Sequence, residues 1–179
     1  MQVGEKSPIA FILSNLGSAS RGLKRFDAAL NYFAQSLPMT IEAADQRWIA
    51  TNFNEIGQTY VEMGSYEQAI PNLLSGLNIT MSIEAIPDAL TSLTHLGRAA
   101  IQCNKMEAGL SWLVFVANQK VTPDLSKKEA ESTLSKASGK ISEQKRKQIV
   151  KQSQGVSIRD VKKSVEATLS DYRPVFGSK

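Results

Sequence analysis

Apolar residues recur along the first two thirds of the chain at spacings of three, four and seven. This spacing is the stripe of an amphipathic helix. The stripe breaks around Lys24, Gly64 and Asn104 and then restarts in a new phase. Each interval is therefore predicted to be a helix, a tight turn and an antiparallel second helix. The predicted helices cover about 8–23, 26–44, 47–63, 66–84, 87–103 and 106–119.

The same pattern returns every 40 residues, in three copies. Each copy carries an aliphatic–glycine pair in its first helix and a small residue in its second. The pairs are Leu16–Gly17, Ile56–Gly57 and Leu96–Gly97, and the small residues are Ala29, Ala69 and Gly109. Glycine inside a helix costs about 1 kcal/mol relative to alanine, so we expect these glycines where two helices approach closely, opposite the small residues. Since one helical pair cannot bury its apolar face alone, neighbouring pairs should stack.

Polar residues and prolines mark the expected helix ends. Ser65 and Asn104 are each followed three residues later by Gln or Glu, so both are predicted to cap the helices that follow them. Thr122 is predicted to cap a further helix. Pro38 and Pro71 fall inside predicted helices and should bend them or open a turn.

The C-terminal part has a different character from the repeats. A thin apolar stripe over 123–138 predicts a helix that caps the repeat array, and a second amphipathic stretch predicts a helix over 157–170. The residues between them are polar and basic. The sequence leaves open whether 139–179 packs on the repeats.

Composition and charge fit a soluble globular protein with an asymmetric charge distribution. Residues are 42% hydrophobic and 21% charged, and no run of 18 apolar residues predicts a membrane-spanning helix. The segment MQVGEKSPIAFIL is not typical of a secretory signal, and the single Cys103 fits a reducing, cytoplasmic compartment. Residues 1–119 carry 7 Lys/Arg and 10 Asp/Glu, whereas 120–179 carry 14 and 7, so a mildly acidic body precedes a basic tail.

The basic cluster in this tail raises a nucleic-acid interpretation, because lysine and arginine neutralise phosphates. The cluster is Lys145, Arg146, Lys147 and Lys151. Against this interpretation, no aromatic residue lies between Phe115 and Tyr172 to stack on a base. A solvated helix face is the favoured interpretation, and a nucleic-acid-associated regulatory module is the alternative.

The chain contains no recognisable catalytic constellation. His95 and Cys103 are eight residues apart on one predicted helix, a separation of about 12 Å, so they cannot act as base and nucleophile. No set of residues has the spacing of a metal site or a phosphate-binding loop. We therefore expect a non-enzyme without cofactor or metal.

The repeated columns resemble the tetratricopeptide repeat (TPR) over about residues 9–121. In the second copy the signature columns hold Phe53, Ile56, Gly57, Tyr60, Ala69 and Leu73. The family's usual period is about 34 residues, and its closing proline is absent here, so the helices should be longer, as in the extended repeats of large bacterial regulators. The resemblance implies an all-α solenoid of three repeats, about 9–48, 49–88 and 89–121, followed by a basic capping helix and tail over 122–179.

The resemblance also implies a function. In such arrays the first helices line a concave groove that takes an extended peptide or a partner helix. The groove residues implied here are Asn54, Gln58, Thr94, His95 and Arg98. Ser14 and Ser18 stand where the family's chaperone-tail clamp needs Lys and Asn, so that ligand is not expected. The expected function is a protein-interaction scaffold or sensor module, binding a peptide or protein partner or self-associating through the solenoid ends, within a larger bacterial regulator.

Overall fold

A computed structural model describes residues 3–176, except the side chains of 3–7 and 138. Nine α-helices and one short 3₁₀ turn, Ser138–Lys140, make up the regular structure of this part of the chain. The helices are α1 Val3–Gly22, α2 Phe26–Glu42, α3 Gln46–Met63, α4 Tyr66–Ser82, α5 Ile86–Gln102, α6 Met106–Asn118, α7 Asp124–Ala137, α8 Glu143–Gln152 and α9 Ile158–Thr168. Over these residues there is no β-strand, so the predicted all-α helical-repeat class is confirmed.

The helix boundaries agree closely with the apolar pattern. For α1 to α6 every end lies within two residues of the predicted position, except the start of α1, which begins five residues earlier. The two predicted C-terminal helices are α7 and α9. Helix α8 was not predicted, because its one buried residue, Ile149, does not form a stripe.

A residue in the left-handed conformation lies in the turn after each of the first five helices. The residues are Lys24, Ala44, Gly64, Glu84 and Asn104, with φ between 53° and 78° and a constant separation of 20 residues. The next residue in each turn donates its N–H to a carbonyl five positions back, as Arg25 does to Ser20 at 2.9 Å. This bond is the Schellman motif, which satisfies carbonyls at a helix C-terminus. Each 40-residue repeat therefore consists of two 20-residue halves, each with one helix and one turn.

The predicted side-chain caps are wrong in three places. Ser65 precedes α4, but its side chain makes no capping hydrogen bond. Asn104 occupies the left-handed turn position, and Lys105 stands before α6 in its place. The hydroxyl of Thr122 donates to the carbonyl of Val116 at 2.7 Å, so it satisfies the end of α6 and does not cap α7.

The prolines do not interrupt their helices. Pro38 lies inside α2 and Pro71 inside α4, and both helices continue past them for one or more turns. Neither proline opens a turn, so that part of the expectation is wrong.

The described chain forms two compact units. One contains the residues up to Ala89 together with the segment from Pro174, and the other contains Leu90–Arg173. In the first unit α1 pairs with α2, α3 pairs with α4, and α2 packs on α3. In the second unit α6 packs on α7, α8 and α9. The C-terminal helices therefore do pack on the third repeat, a point that the sequence left open. The division at residue 121 stays a prediction.

A large apolar side chain fills the space beside the glycine of each aliphatic–glycine pair. A Cβ atom on Gly57 would lie 2.5 Å from Cγ of Leu73 and 3.3 Å from the carbonyl oxygen of Ala69. On Gly97 it would lie 2.8 Å from Cγ of Leu113. Gly17 stands in the same relation to Phe33, at 2.5 Å. Because Phe33, Leu73 and Leu113 are all fully buried, they have no room to withdraw.

The aliphatic members of the pairs have unequal environments. Leu96 is fully buried, whereas Leu16 is 43% exposed, and Ile56 is intermediate. The small residues Ala29 and Ala69 are completely buried. The glycine contacts thus recur in all three copies, whereas the burial of the aliphatic residue before the glycine differs from copy to copy.

Replacing Gly57 with alanine should destabilise the protein. The new methyl group overlaps Leu73, and overpacking of this kind costs about 1–3 kcal/mol, against a gain of about 1 kcal/mol in helix propensity. Urea unfolding followed by circular dichroism measures the difference. The control is Gly22→Ala, where a Cβ meets nothing within 4 Å; equal stability of the two variants would contradict the close-approach explanation.

Replacing Ala44 with glycine should stabilise the protein by about 0.5–1 kcal/mol. Ala44 has a φ of 53°, a conformation that costs a residue with a Cβ about 1 kcal/mol and glycine almost nothing. The matched control is its neighbour Ala43, with a φ of −74°, where glycine should lower stability. Thermal unfolding of the two variants decides the matter, and the same sign of change in both would contradict the prediction.

Candidate functional site

A polar network joins α1 to α3 in the first unit. Arg21 donates from Nη2 to Oε2 of Glu55 at 2.9 Å and from Nη1 to Oε1 of Glu62 at 2.7 Å. The hydroxyl of Ser18 donates to the same Oε2 of Glu55 at 2.9 Å. Gln58 adds a hydrogen bond from Nε2 to Oε1 of Glu62 at 3.1 Å. These contacts link two neighbouring repeats through the faces that the sequence assigns to the groove.

The charges of this network are unequal. Burial of Arg21 by itself would lower the pKa of its guanidinium, but the attraction and hydrogen bonds of Glu55 and Glu62 outweigh burial and raise that pKa above its ordinary value. Arg21 therefore stays charged. One cation against two carboxylates leaves the network with a net charge of −1. This surface is suited to a partner that brings a positive charge.

Asn54 has a packing role within its own hairpin. It is 8% exposed, and its Oδ1 would lie 2.2 Å from a Cβ on Gly76 of α4. A residue larger than glycine at position 76 would therefore displace the Asn54 amide. Asn54 and Gln58 lie one turn apart on α3, but Asn54 turns toward α4 while Gln58 joins the network toward α1.

Helix α7 covers the predicted groove face of α5 in the second unit. Arg98 donates to Oε2 of Glu129 at 3.1 Å, and Nδ1 of His95 lies 3.6 Å from the same oxygen. The hydroxyls of Thr91 and Ser126 are 3.0 Å apart. His95 is almost fully buried. These residues hold α7 in place, the capping role predicted for it.

Thr94 contributes to packing as well. It is fully buried, and its hydroxyl donates to the carbonyl of Leu90 one turn earlier, at 2.9 Å. The structure thus brings His95 and Arg98 together at Glu129, whereas Thr94 lies on the buried side of α5. Sequence reasoning missed Glu129, which lies on the predicted capping helix.

An aromatic pair stands on the α1–α3 face of the first unit. The rings of Phe11 and Trp48 pack edge to face, with centroids 5.0 Å apart and planes at 83°. Phe11 is 47% exposed. Trp48, Glu55 and Glu62 follow one another at intervals of seven residues, so they share one side of α3. The contact between Phe11 and Trp48 was not foreseen from the sequence.

The basic cluster of α8 is partly neutralised. Lys145 lies 2.8 Å from a carboxylate oxygen of Glu107, and Lys147 lies 2.7 Å from one of Glu143. A cavity of about 430 Å³ between α6, α7 and α8 has Arg146 among its mostly apolar lining residues. These features give α8 a role in packing the second unit.

The described residues show no metal-binding group and no membrane-spanning helix. No three His, Cys, Asp or Glu side chains within the described part of the chain are arranged to hold a metal ion. None of its helices has both the length and the apolar character needed to cross a bilayer.

Comparison with known proteins identifies the repeats. The family model described as tetratricopeptide repeat matches residues 8–82. No curated protein and no solved structure matches the chain. The matched residues cover most of α1 and all of α2, α3 and α4, the two hairpins whose glycine contacts are described above. Residues 8–82 of this chain are therefore similar to tetratricopeptide repeats.

Proposed function

We propose that this chain is a non-catalytic protein-interaction module that binds an extended peptide or a protein segment on the α1–α3 face. Tetratricopeptide repeats generally mediate protein–protein interactions and are typically scaffolds without catalysis. The observation that carries the proposal is the aromatic pair of exposed Phe11 and half-buried Trp48 beside the acidic network. Aromatic residues are enriched at protein interfaces, where they contribute large apolar contact areas.

The chemistry of this face defines the partner. Trp48 and Glu55 are seven residues apart on α3, a rise of about 10 Å, so an apolar contact and a negative charge are available within three or four residues of an extended chain. A segment with an apolar or aromatic side chain and a nearby lysine or arginine fits both. Because the network is already ordered by Arg21, little conformational entropy is lost when the partner binds.

The predicted groove residues remain candidates with different roles. Gln58 supports the α1–α3 face through Glu62, whereas Asn54 packs against Gly76 of α4. Thr94, His95 and Arg98 belong to the second unit, where the burial of Thr94 and the contacts of His95 and Arg98 with Glu129 of α7 favour a structural contribution. The basic cluster of α8 forms ion pairs with Glu107 and Glu143, which disfavours the nucleic-acid alternative.

Two broader proposals follow from the resemblance. Repeats of 40 residues, like those of large bacterial regulators, support a role for the module within such a regulator. A reducing compartment, and hence a cytoplasmic location, suits a chain whose single Cys103 is unpaired.

Self-association is proposed through α1. Ile12 and Leu16 are exposed one turn apart on this helix, and Leu23, which follows its end, is exposed as well. We expect the chain to self-associate with increasing concentration and Leu16→Glu to weaken this, because the charge would have to be desolvated at the interface. Analytical ultracentrifugation measures both chains; identical behaviour at every concentration would contradict the proposal.

Peptide selection tests the α1–α3 face. A random peptide library displayed on phage and selected on the intact chain should yield peptides that combine an aromatic residue with a basic one. The affinity of these peptides, measured by fluorescence anisotropy, should fall about tenfold or more in Phe11→Ala, the loss expected for an interface anchor.

Leu125→Ala is the matched control, since Leu125 is an exposed apolar residue on α7 and should leave affinity unchanged. Selected peptides that bind Phe11→Ala as tightly as the unchanged chain would exclude this face as the binding site. Weaker binding at high salt is also expected, because the carboxylates of Glu55 and Glu62 contribute through charge.

A further inference from the structure

The segment after α9 packs on the second hairpin of the first unit. The ring of Phe176 lies beside that of Phe53, with centroids 5.8 Å apart and planes at 34°. Phe53 belongs to a buried cluster with Ile49, Ala50 and Ile79, against which Leu37 and Phe176 pack. The segment therefore inserts an aromatic side chain beside residues of α3 and α4.

The backbone of this segment is bound as well. The N–H of Phe176 donates to the hydroxyl of Ser75 at 3.0 Å, and the N–H of Val175 donates to the carbonyl of Pro71 at 3.4 Å. Ser75 in turn donates its own hydrogen to Pro71 at 3.0 Å. Ser75 is fully buried, so the hydroxyl is held in position to accept from the segment.

The backbone contacts of this segment could be made by almost any sequence, whereas its aromatic contact depends on the side chain. The two hydrogen bonds involve only backbone N–H groups of the segment, which every residue except proline can supply. The side chain of Val175 is largely exposed, since the residue is 61% exposed. Selectivity therefore rests on the aromatic side chain that follows it.

We propose that the surface formed by Phe53, Pro71, Ser75 and Ile79 is a second peptide-binding site, which takes an extended segment anchored by an aromatic side chain. The chain's own Val175–Phe176 is its tethered occupant. The hydrogen-bond acceptors of this site, Pro71 and Ser75, lie on α4 and do not belong to the Arg21 network. The site is therefore independent of the function proposed for the α1–α3 face.

A tethered occupant competes with any partner peptide. Its effective concentration is on the order of millimolar for a short flexible connection. For a segment that binds with a dissociation constant of about 0.1 mM, this tether would weaken a competing peptide roughly tenfold. Release of the segment would therefore act as a switch for binding at this site.

The test uses the full chain and a labelled peptide. The probe is a fluorescein-labelled, C-terminally amidated peptide of residues 171–176, DYRPVF. It should bind the full-length Phe176→Ala chain at least about fivefold more tightly than the unchanged chain, because the tethered competitor has lost its anchor. The same peptide with alanine in place of phenylalanine should not bind either chain.

Two variants serve as controls. Val175→Ala should bind the peptide as the unchanged chain does, because the Val175 side chain is mostly in solvent. Adding Ser75→Ala to Phe176→Ala should weaken the peptide about fivefold, since the acceptor for the anchor's N–H is removed.

A second measurement covers the case in which Phe176→Ala does not fold. The unchanged chain titrated with millimolar unlabelled peptide should show shifts in the amide resonances of Ser75 and Ile79 in NMR spectra. Equal affinity of the probe for the unchanged and Phe176→Ala chains, or no shift at those amides, would overturn the proposal. A dimer that Phe176→Ala dissociates would also overturn it, because the segment would then occupy a second copy of the chain.

Discussion

The approach of two antiparallel helices at a glycine is the contact on which each repeat depends. Gly17, Gly57 and Gly97 leave room for a large apolar side chain sixteen residues later, and that side chain is fully buried in each repeat. Any Cβ in this place would push the partner helix outward and open the hairpin. The glycines accordingly accept a penalty in helix propensity of about 1 kcal/mol in exchange for a close-packed interior.

Polar side chains on the first helix of a repeat form ion pairs with the helix two positions along the chain. Arg21 bridges α1 and α3 through two carboxylates, and Glu129 bridges α7 to α5 through Arg98. A surface that holds its own neighbours in place is already ordered, so the residues left exposed beside it, such as Phe11, are presented in a fixed geometry. The polar contacts that stabilise the repeats therefore also fix the geometry of the exposed side chains beside them.

The sequence was most informative where one physical rule acted alone. Helix positions followed from the apolar period, because burial of a stripe outweighs local preferences. Cap assignments failed because a hydroxyl such as that of Thr122 has more than one acceptor within reach, and the sequence does not say which is nearer. Column positions predicted a groove face at His95, but not that Glu129 would lie against it. The contacts of Phe176 had no signal in the sequence, because a segment as short as residues 174–176 cannot show a periodic pattern of apolar positions.

The constant spacing of the left-handed turns has a consequence for how such a chain can change. One residue of an α-helix corresponds to a rotation of about 100°. A single insertion within α2 would therefore direct the buried side of that helix into solvent beyond the point of insertion and displace everything that follows. Duplication of a whole 40-residue repeat, which contains two helices and two turns, preserves every orientation in contrast. A complete helical hairpin is thus the smallest unit that can be duplicated without disturbing the packing of the other helices.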